Sequence, residues 1–193
     1  MKTVFGLGNP GQQYKNNRHN IGYKVLDSLA KAEGIKFKRS FKTGAYIAKK
    51  KIDKEEVLFV KPLTFMNNSG LCVRKVLQYY KVSVDDTLII YDDVDLPLGA
   101  LRFRSGGSSA GHRGMASIME ALDTKEINRL RLGISGSQTR IGELADYVLS
   151  DFLDSEENIV QEAISKASCA CKDWINKGVD FVMKNYNRRG GLE

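Results

Sequence analysis

At 193 residues the chain suits a single sizeable core, and no stretch reaches the roughly 18 consecutive apolar residues with which a helix spans a bilayer, so a soluble protein is expected. Thirty Lys and Arg against 23 Asp and Glu leave a net charge of +7, which points to a polyanionic partner. Cys72, Cys169 and Cys171, an odd count without CxxC spacing, and only two histidines fall short of a metal site, which needs about four ligands; no metal is expected.

In chain order, residues 3–7 read as a strand rather than a signal peptide, because the apolar run ends in a glycine turn and not a cleavage site. A soluble cytoplasmic protein is therefore expected. A loop over 8–20 follows, then helical spacing of Ile21, Val25, Leu26 and Leu29 up to Gly34. Two strands meet at a charged turn around Asp53 and Lys54, the second ending at Pro62. LTFMNNSG (63–70) is a loop, and Val73, Val76, Leu77 and Tyr80 line the helix after it. TLIIY (87–91) is apolar without alternation, the mark of a central strand buried on both faces. LPLG reads as a turn, 100–104 as a strand, 106–114 as a glycine-rich loop opening a helix, and 129–135 as a further strand. A C-terminal helix is expected to stop before Gly178. This alternation predicts an α/β fold: one domain over 1–185, a twisted mixed and largely parallel sheet with helices on both faces, and a flexible basic tail over 186–193.

Charge is unevenly placed. Residues 36–54 carry eight Lys or Arg and one acid, and 100–114 carry Arg102, Arg104 and Arg113 with no acid, whereas 141–162 hold seven carboxylates and no Lys or Arg. A basic face for phosphates and a plain solvated surface explain this equally well.

Four loops are placed to meet at the carboxyl ends of the strands, where such sheets bind ligands. GLGNPG (6–11) matches G-x-G-x-x-G, but no helix follows and no acid closes a second strand, so the glycines serve a sharp turn that presents Asn9. In KPLTFMNNSG, Phe65 and Met66 are candidates for the core, Asn68 or Ser69 for a helix cap, and Asn67 for the site, where an amide offers both donor and acceptor. Asp92, just past a buried strand, needs a cation or donors, which an imidazole supplies; Asp93 and Asp95 read as turn residues. GGSSAGHRG resembles an anion-binding loop without the Lys-Ser/Thr of a Walker motif, and its His112 reads as structural. NNRHNIG holds His19, one of only two histidines, in a polar, glycine-bounded segment where no apolar periodicity buries it.

Taken together and in this order, GLGNPGxxY…RHNxG, KPxTFMNxSG, DDxDLPxG, GGSSxGHxG and RLRLGI resemble the bacterial type of peptidyl-tRNA hydrolase. The resemblance implies an enzyme that cleaves the ester between a peptide and the terminal ribose of tRNA, with no cofactor, acting as a monomer on peptidyl-tRNA. It implies His19 as catalytic base and Asp92 as its support, and Asn9 as the group that reads the peptide backbone. Tyr14, Phe65, Met66 and Asn67 become substrate contacts, and Arg104 and Arg131 a clamp on the 5′ phosphate of tRNA. Arg113 stands where the family has a substrate-contacting asparagine, and Asn17 where a threonine is usual. Arg113 therefore counts among the substrate-binding positions, and it also keeps open a rival reading, a catalytically impaired RNA-binding homologue. A serine nucleophile (Ser69, Ser108 or Ser109) ranks below water attack because none lies in a G-x-S-x-G elbow.

Overall fold

In the computed structural model, residues 1–136 and 144–187 are described; the tail expected over 186–193 lies, from residue 188 onward, outside them. A seven-stranded sheet runs in the order β2-β3-β4-β1-β5-β7-β6, with β1 (Lys2–Gly6), β2 (Lys38–Ser40), β3 (Ala45–Ile52), β4 (Glu55–Pro62), β5 (Thr87–Pro97), β6 (Leu101–Arg104) and β7 (Asn128–Ser135). The centre is parallel, β1 pairing with β4 and β5, and β5 with β7; the edges, β2-β3-β4 and β6-β7, are antiparallel. This is the mixed α/β architecture expected.

The strand residues sort by parity, as the two-residue period requires. Leu88 and Ile90 of β5 join Val4, Phe59, Leu130 and Leu132 in one core, beneath α1 (Ile21–Glu33) and α5 (Glu157–Tyr186). Ile89 and Tyr91 join Phe5, Leu58 and Val60 in the other, beneath α2 (Ser69–Tyr80) and α3 (Arg113–Leu122). Burial on both faces is the reason the central strand shows no alternation.

One close approach sets the site. A Cβ on Gly22 would sit 2.4 Å from the Ile90 carbonyl oxygen and 2.5 Å from the Leu7 nitrogen, so only glycine lets the first turn of α1 rest on the sheet. The turn carrying His19, just before α1, is thereby held over the carboxyl end of β5.

Several local expectations are corrected. β5 continues through DDVDLP to Pro97, because β7 keeps pairing with it as far as Asp93↔Gly133 and again at Pro97↔Ser135. Strand β2 and the short helix α4 (Leu144–Leu149) were not anticipated. At Gly178 (φ 81°, ψ 179°) the backbone leaves the helical region, so the first segment of α5 ends there as expected; what was not expected is a second helical segment, which follows to Tyr186, burying Val182 and packing Tyr186 on Phe103. Neither Asn68 nor Ser69 caps α2 with its side chain. A 3-10 turn, Met66–Asn68, runs straight into the helix, Ser69 Oγ donates to the Met66 carbonyl, and the Gly70 N–H is taken instead by Ser117 Oγ of α3 at 3.1 Å. A tertiary contact replaces the local cap.

Candidate active site

The loops after β1 and β4, the Tyr91–Val94 stretch of β5 and the loop before α3 surround a cavity of about 460 Å³ that α4 completes, through Leu144, Ala145, Val148 and Leu149. Asn9, His19, Phe65, Met66, Asn67, Asp92, His112 and Arg113 all line it.

At its floor the His19 Nδ1–H donates to both carboxylate oxygens of Asp92, at 2.8 and 2.9 Å. His112 reaches the same carboxylate, Nε2 to Oδ1 at 3.1 Å. Its other nitrogen, Nδ1, accepts the Met115 N–H at 3.0 Å and so caps α3. That cap fixes His112 as the neutral Nε2–H tautomer, since a proton on Nδ1 would face a backbone donor. His19 is bound through Nδ1, and its Nε2 has no protein partner among the described residues, which leaves a lone pair on the cavity side. Asp92 is 2% exposed. Burial pushes its carboxyl up, but the electrostatic attraction of the His19 and His112 rings and the hydrogen bonds they donate outweigh this and hold it below the usual carboxylate range.

Asn9 Oδ1 accepts the Met66 N–H at 2.8 Å, so its Nδ2 hydrogens remain for the cavity. Its backbone is gripped by Asn20: the Asn9 N–H donates to Asn20 Oδ1 at 2.8 Å, and Asn20 Nδ2 donates to the Asn9 carbonyl at 3.0 Å. Phe65 is exposed, Met66 is buried beneath it, and Asn67 is exposed at the rim. Tyr14 stands outside the cavity lining, its ring edge-on to Phe65 at 6.2 Å. Arg113, the first residue of α3, is exposed and has no ion pair among the described residues.

Arg104 and Arg131 lie outside the cavity on β6 and β7. The pairings Arg102↔Arg131 and Arg104↔Arg129 put four arginines on one face of that edge. They differ in state. Arg131 Nε donates to Asp93; Arg129 is buried and donates to the carbonyls of Ile127, Ser108 and Lys125, holding the loop before α3; Arg104 is exposed. Asp93 also accepts the Asp95 N–H at 2.9 Å, so it keeps a turn role beside its ion pair.

An imidazole anchored by a buried carboxylate, with the Asn9 and Asn67 amides lining the same cavity on a mixed α/β sheet, defines a site for acid–base chemistry. The comparisons narrow the class. The model of the family described as peptidyl-tRNA hydrolase matches residues 3–191, and the chain belongs to that family. It is 43% identical over 187 residues to a peptidyl-tRNA hydrolase of Syntrophomonas wolfei, covering 97% of this chain and all of that one, and 44% identical over 192 residues to one of Exiguobacterium sibiricum, with the same coverage. The crystal structure of peptidyl-tRNA hydrolase from Acinetobacter baumannii superposes with a TM-score of 0.89 at 30% identity, over 97% of this chain and 95% of that one.

The sequence reading missed three functional features. Asn20 grips Asn9, although its position inside RHN gave a hint. His112, expected as structural, caps α3 and also holds Asp92. Helix α4 walls the cavity, and only the i, i+4 spacing of Leu144 and Val148 signalled it.

Proposed function

We propose that the chain hydrolyses the ester between the peptide and the 3′-terminal ribose of peptidyl-tRNA, with His19 as general base. The contact of both Asp92 oxygens with His19 Nδ1 carries this reading, because it orients the basic Nε2 into the cavity. His19 Nε2 takes a proton from water as the water oxygen attacks the ester carbonyl carbon, and Asp92 stabilises the imidazolium. The tetrahedral intermediate then collapses: the bond from carbon to the ribose oxygen breaks, and that oxygen takes the proton back from His19. The Asn9 Nδ2 and the Asn67 amide supply donors for the developing oxyanion and the peptide backbone, while Arg113 meets a phosphate at the ribose end. Phe65 and Tyr14 offer aromatic surface at the mouth. Arg104, with Arg131 behind it, meets a tRNA phosphate, and the protein works as a cytoplasmic monomer. The route calls on no cofactor. Ser69 is a poor nucleophile, being fully buried and committed to the Met66 carbonyl.

Incubation with N-acetylated and with free aminoacyl-tRNA tests the proposal. Release from the blocked species alone is expected; no release from either contradicts the reading.

A further inference from the structure

Helix α2 carries cations that no local partner explains. Between residues 57 and 84 the chain has four Lys or Arg and no acid. Lys81, at the C-terminus of α2, suits the negative end of the helix dipole. Arg74 and Lys75 sit mid-helix, exposed, where surface cations usually find an acid three or four residues away. Their neighbours at those spacings are Gly70, Leu71, Cys72, Leu77, Gln78 and Tyr79. Neither makes an ion pair or hydrogen bond among the described residues.

The same surface holds exposed aromatic rings. Tyr79 is 54% exposed with Lys42 Nζ 5.6 Å from its ring centre, and Phe41 is 83% exposed with the Arg39 guanidinium 4.9 Å from its own. Burial explains neither ring. A face that alternates unpaired cations with exposed aromatic surface matches a nucleic-acid strand, whose phosphates take the cations and whose unpaired bases stack on the rings. An acidic protein would use the charges and leave Phe41 without a role.

The face also begins in the right place. α2 opens at Ser69, two residues beyond the cavity-lining Asn67, and its twelve residues extend about 18 Å away from that mouth. The arginine face of β6 and β7 lies at the opposite edge of the sheet from β2 and the Phe41 turn, so the two basic surfaces are separate.

We propose that the solvent face of α2, with the Arg39–Lys42 turn, is a second RNA-binding surface that carries the body of the substrate tRNA while its 3′ end occupies the cavity. That tRNA is the occupant rests on the hydrolase reading above; the affinity of this face for RNA does not.

The test uses the full chain with Lys42→Gln, Arg74→Gln and Lys75→Gln combined, and separately Phe41→Ala. All four side chains are exposed, so the variants fold. Uncharged tRNA and an unrelated single-stranded RNA are titrated by fluorescence anisotropy over a salt series, with polyglutamate as the acidic-polypeptide control. Hydrolysis is compared between N-acetylaminoacyl-tRNA and the same ester on a CCA trinucleotide. The triple variant is expected to lower the slope of log affinity against log salt by roughly two to three and to raise KM on full-length substrate about five-fold or more, with kcat and CCA-ester hydrolysis unchanged. Phe41→Ala is expected to weaken single-stranded RNA binding with little change in salt slope. Weakening on tRNA alone, or on both RNAs, supports the surface, the first marking it as selective. Affinities for both RNAs within two-fold of the parent overturn it, as does an equal loss on polyglutamate. A parent that hydrolyses neither ester contradicts the hydrolase reading and leaves the RNA arm to decide on its own.

Discussion

Asn20 holds Asn9 by both backbone polar groups, accepting from its N–H at 2.8 Å and donating to its carbonyl at 3.0 Å. The side chain proposed to meet the substrate is thus aimed by a residue next to the proposed base, and the turn after β1 and the His19 turn are tied into one unit. Asn20→Ala leaves the Asn9 N–H and carbonyl without this partner in a buried setting. The expected loss in kcat/KM is about ten- to a hundred-fold, with stability lowered by about 1–3 kcal/mol; an Asn20→Ala enzyme as active as the parent shows that Asn9 needs no such clamp.

The state of Asp92 makes a pH prediction. Its folded carboxyl titrates below the ordinary value near 4. Its ionised form therefore stabilises the fold at any pH above about 4, and that contribution is lost as pH falls through the depressed folded value. Asp92→Asn lacks it throughout. Urea unfolding of the two proteins should show a stability gap that is widest above about pH 4 and narrows below it. A gap that stays constant from neutral to acid pH contradicts the pairing.

Arg18 ties the His19 turn to the cavity wall. Its guanidinium is fully buried between the Tyr147 and Phe152 rings, at 4.5 and 4.8 Å, and pairs with Glu156 at 2.6 Å, while its N–H donates to the Ser150 carbonyl at the end of α4. Arg18→Met strands the Glu156 carboxylate in the interior, so urea unfolding is expected to show a loss of about 3–5 kcal/mol. Arg18→Lys keeps the charge but not the planar fork, and should fall between.

The motif loops were legible because each breaks its own periodicity: a polar histidine in a glycine-bounded segment, or paired acids at the end of an apolar run, has no place in a core. The sheet was legible because Thr87 to Tyr91 has no polar face. The rest depended on meetings between distant segments. Nothing near Arg131 in the sequence shows that Asp93, 38 residues away, engages it. The start of α2 offered two capping residues, and Ser117 from another helix took the role. No local spacing announced that His112 shares Asp92 with His19, since the three come from the loop before α3, from β5 and from the turn before α1.

Arg113 is exposed and makes no ion pair among the described residues, so its replacement should leave the fold intact, within about 0.5 kcal/mol. Arg113→Asn is expected to raise KM at low salt and flatten its salt dependence, with kcat within about two-fold, as for a phosphate contact. A fall in kcat with KM unchanged would instead assign Arg113 to the oxyanion.

The proposed role of His19 Nε2 as the base is tested most directly by single-turnover hydrolysis of N-acetylaminoacyl-tRNA by His19→Ala, with tRNA affinity measured on the same preparation. The expected result is a rate lower by about 10²- to 10⁴-fold at an affinity within two-fold of the parent. A rate that survives the substitution would contradict the mechanism.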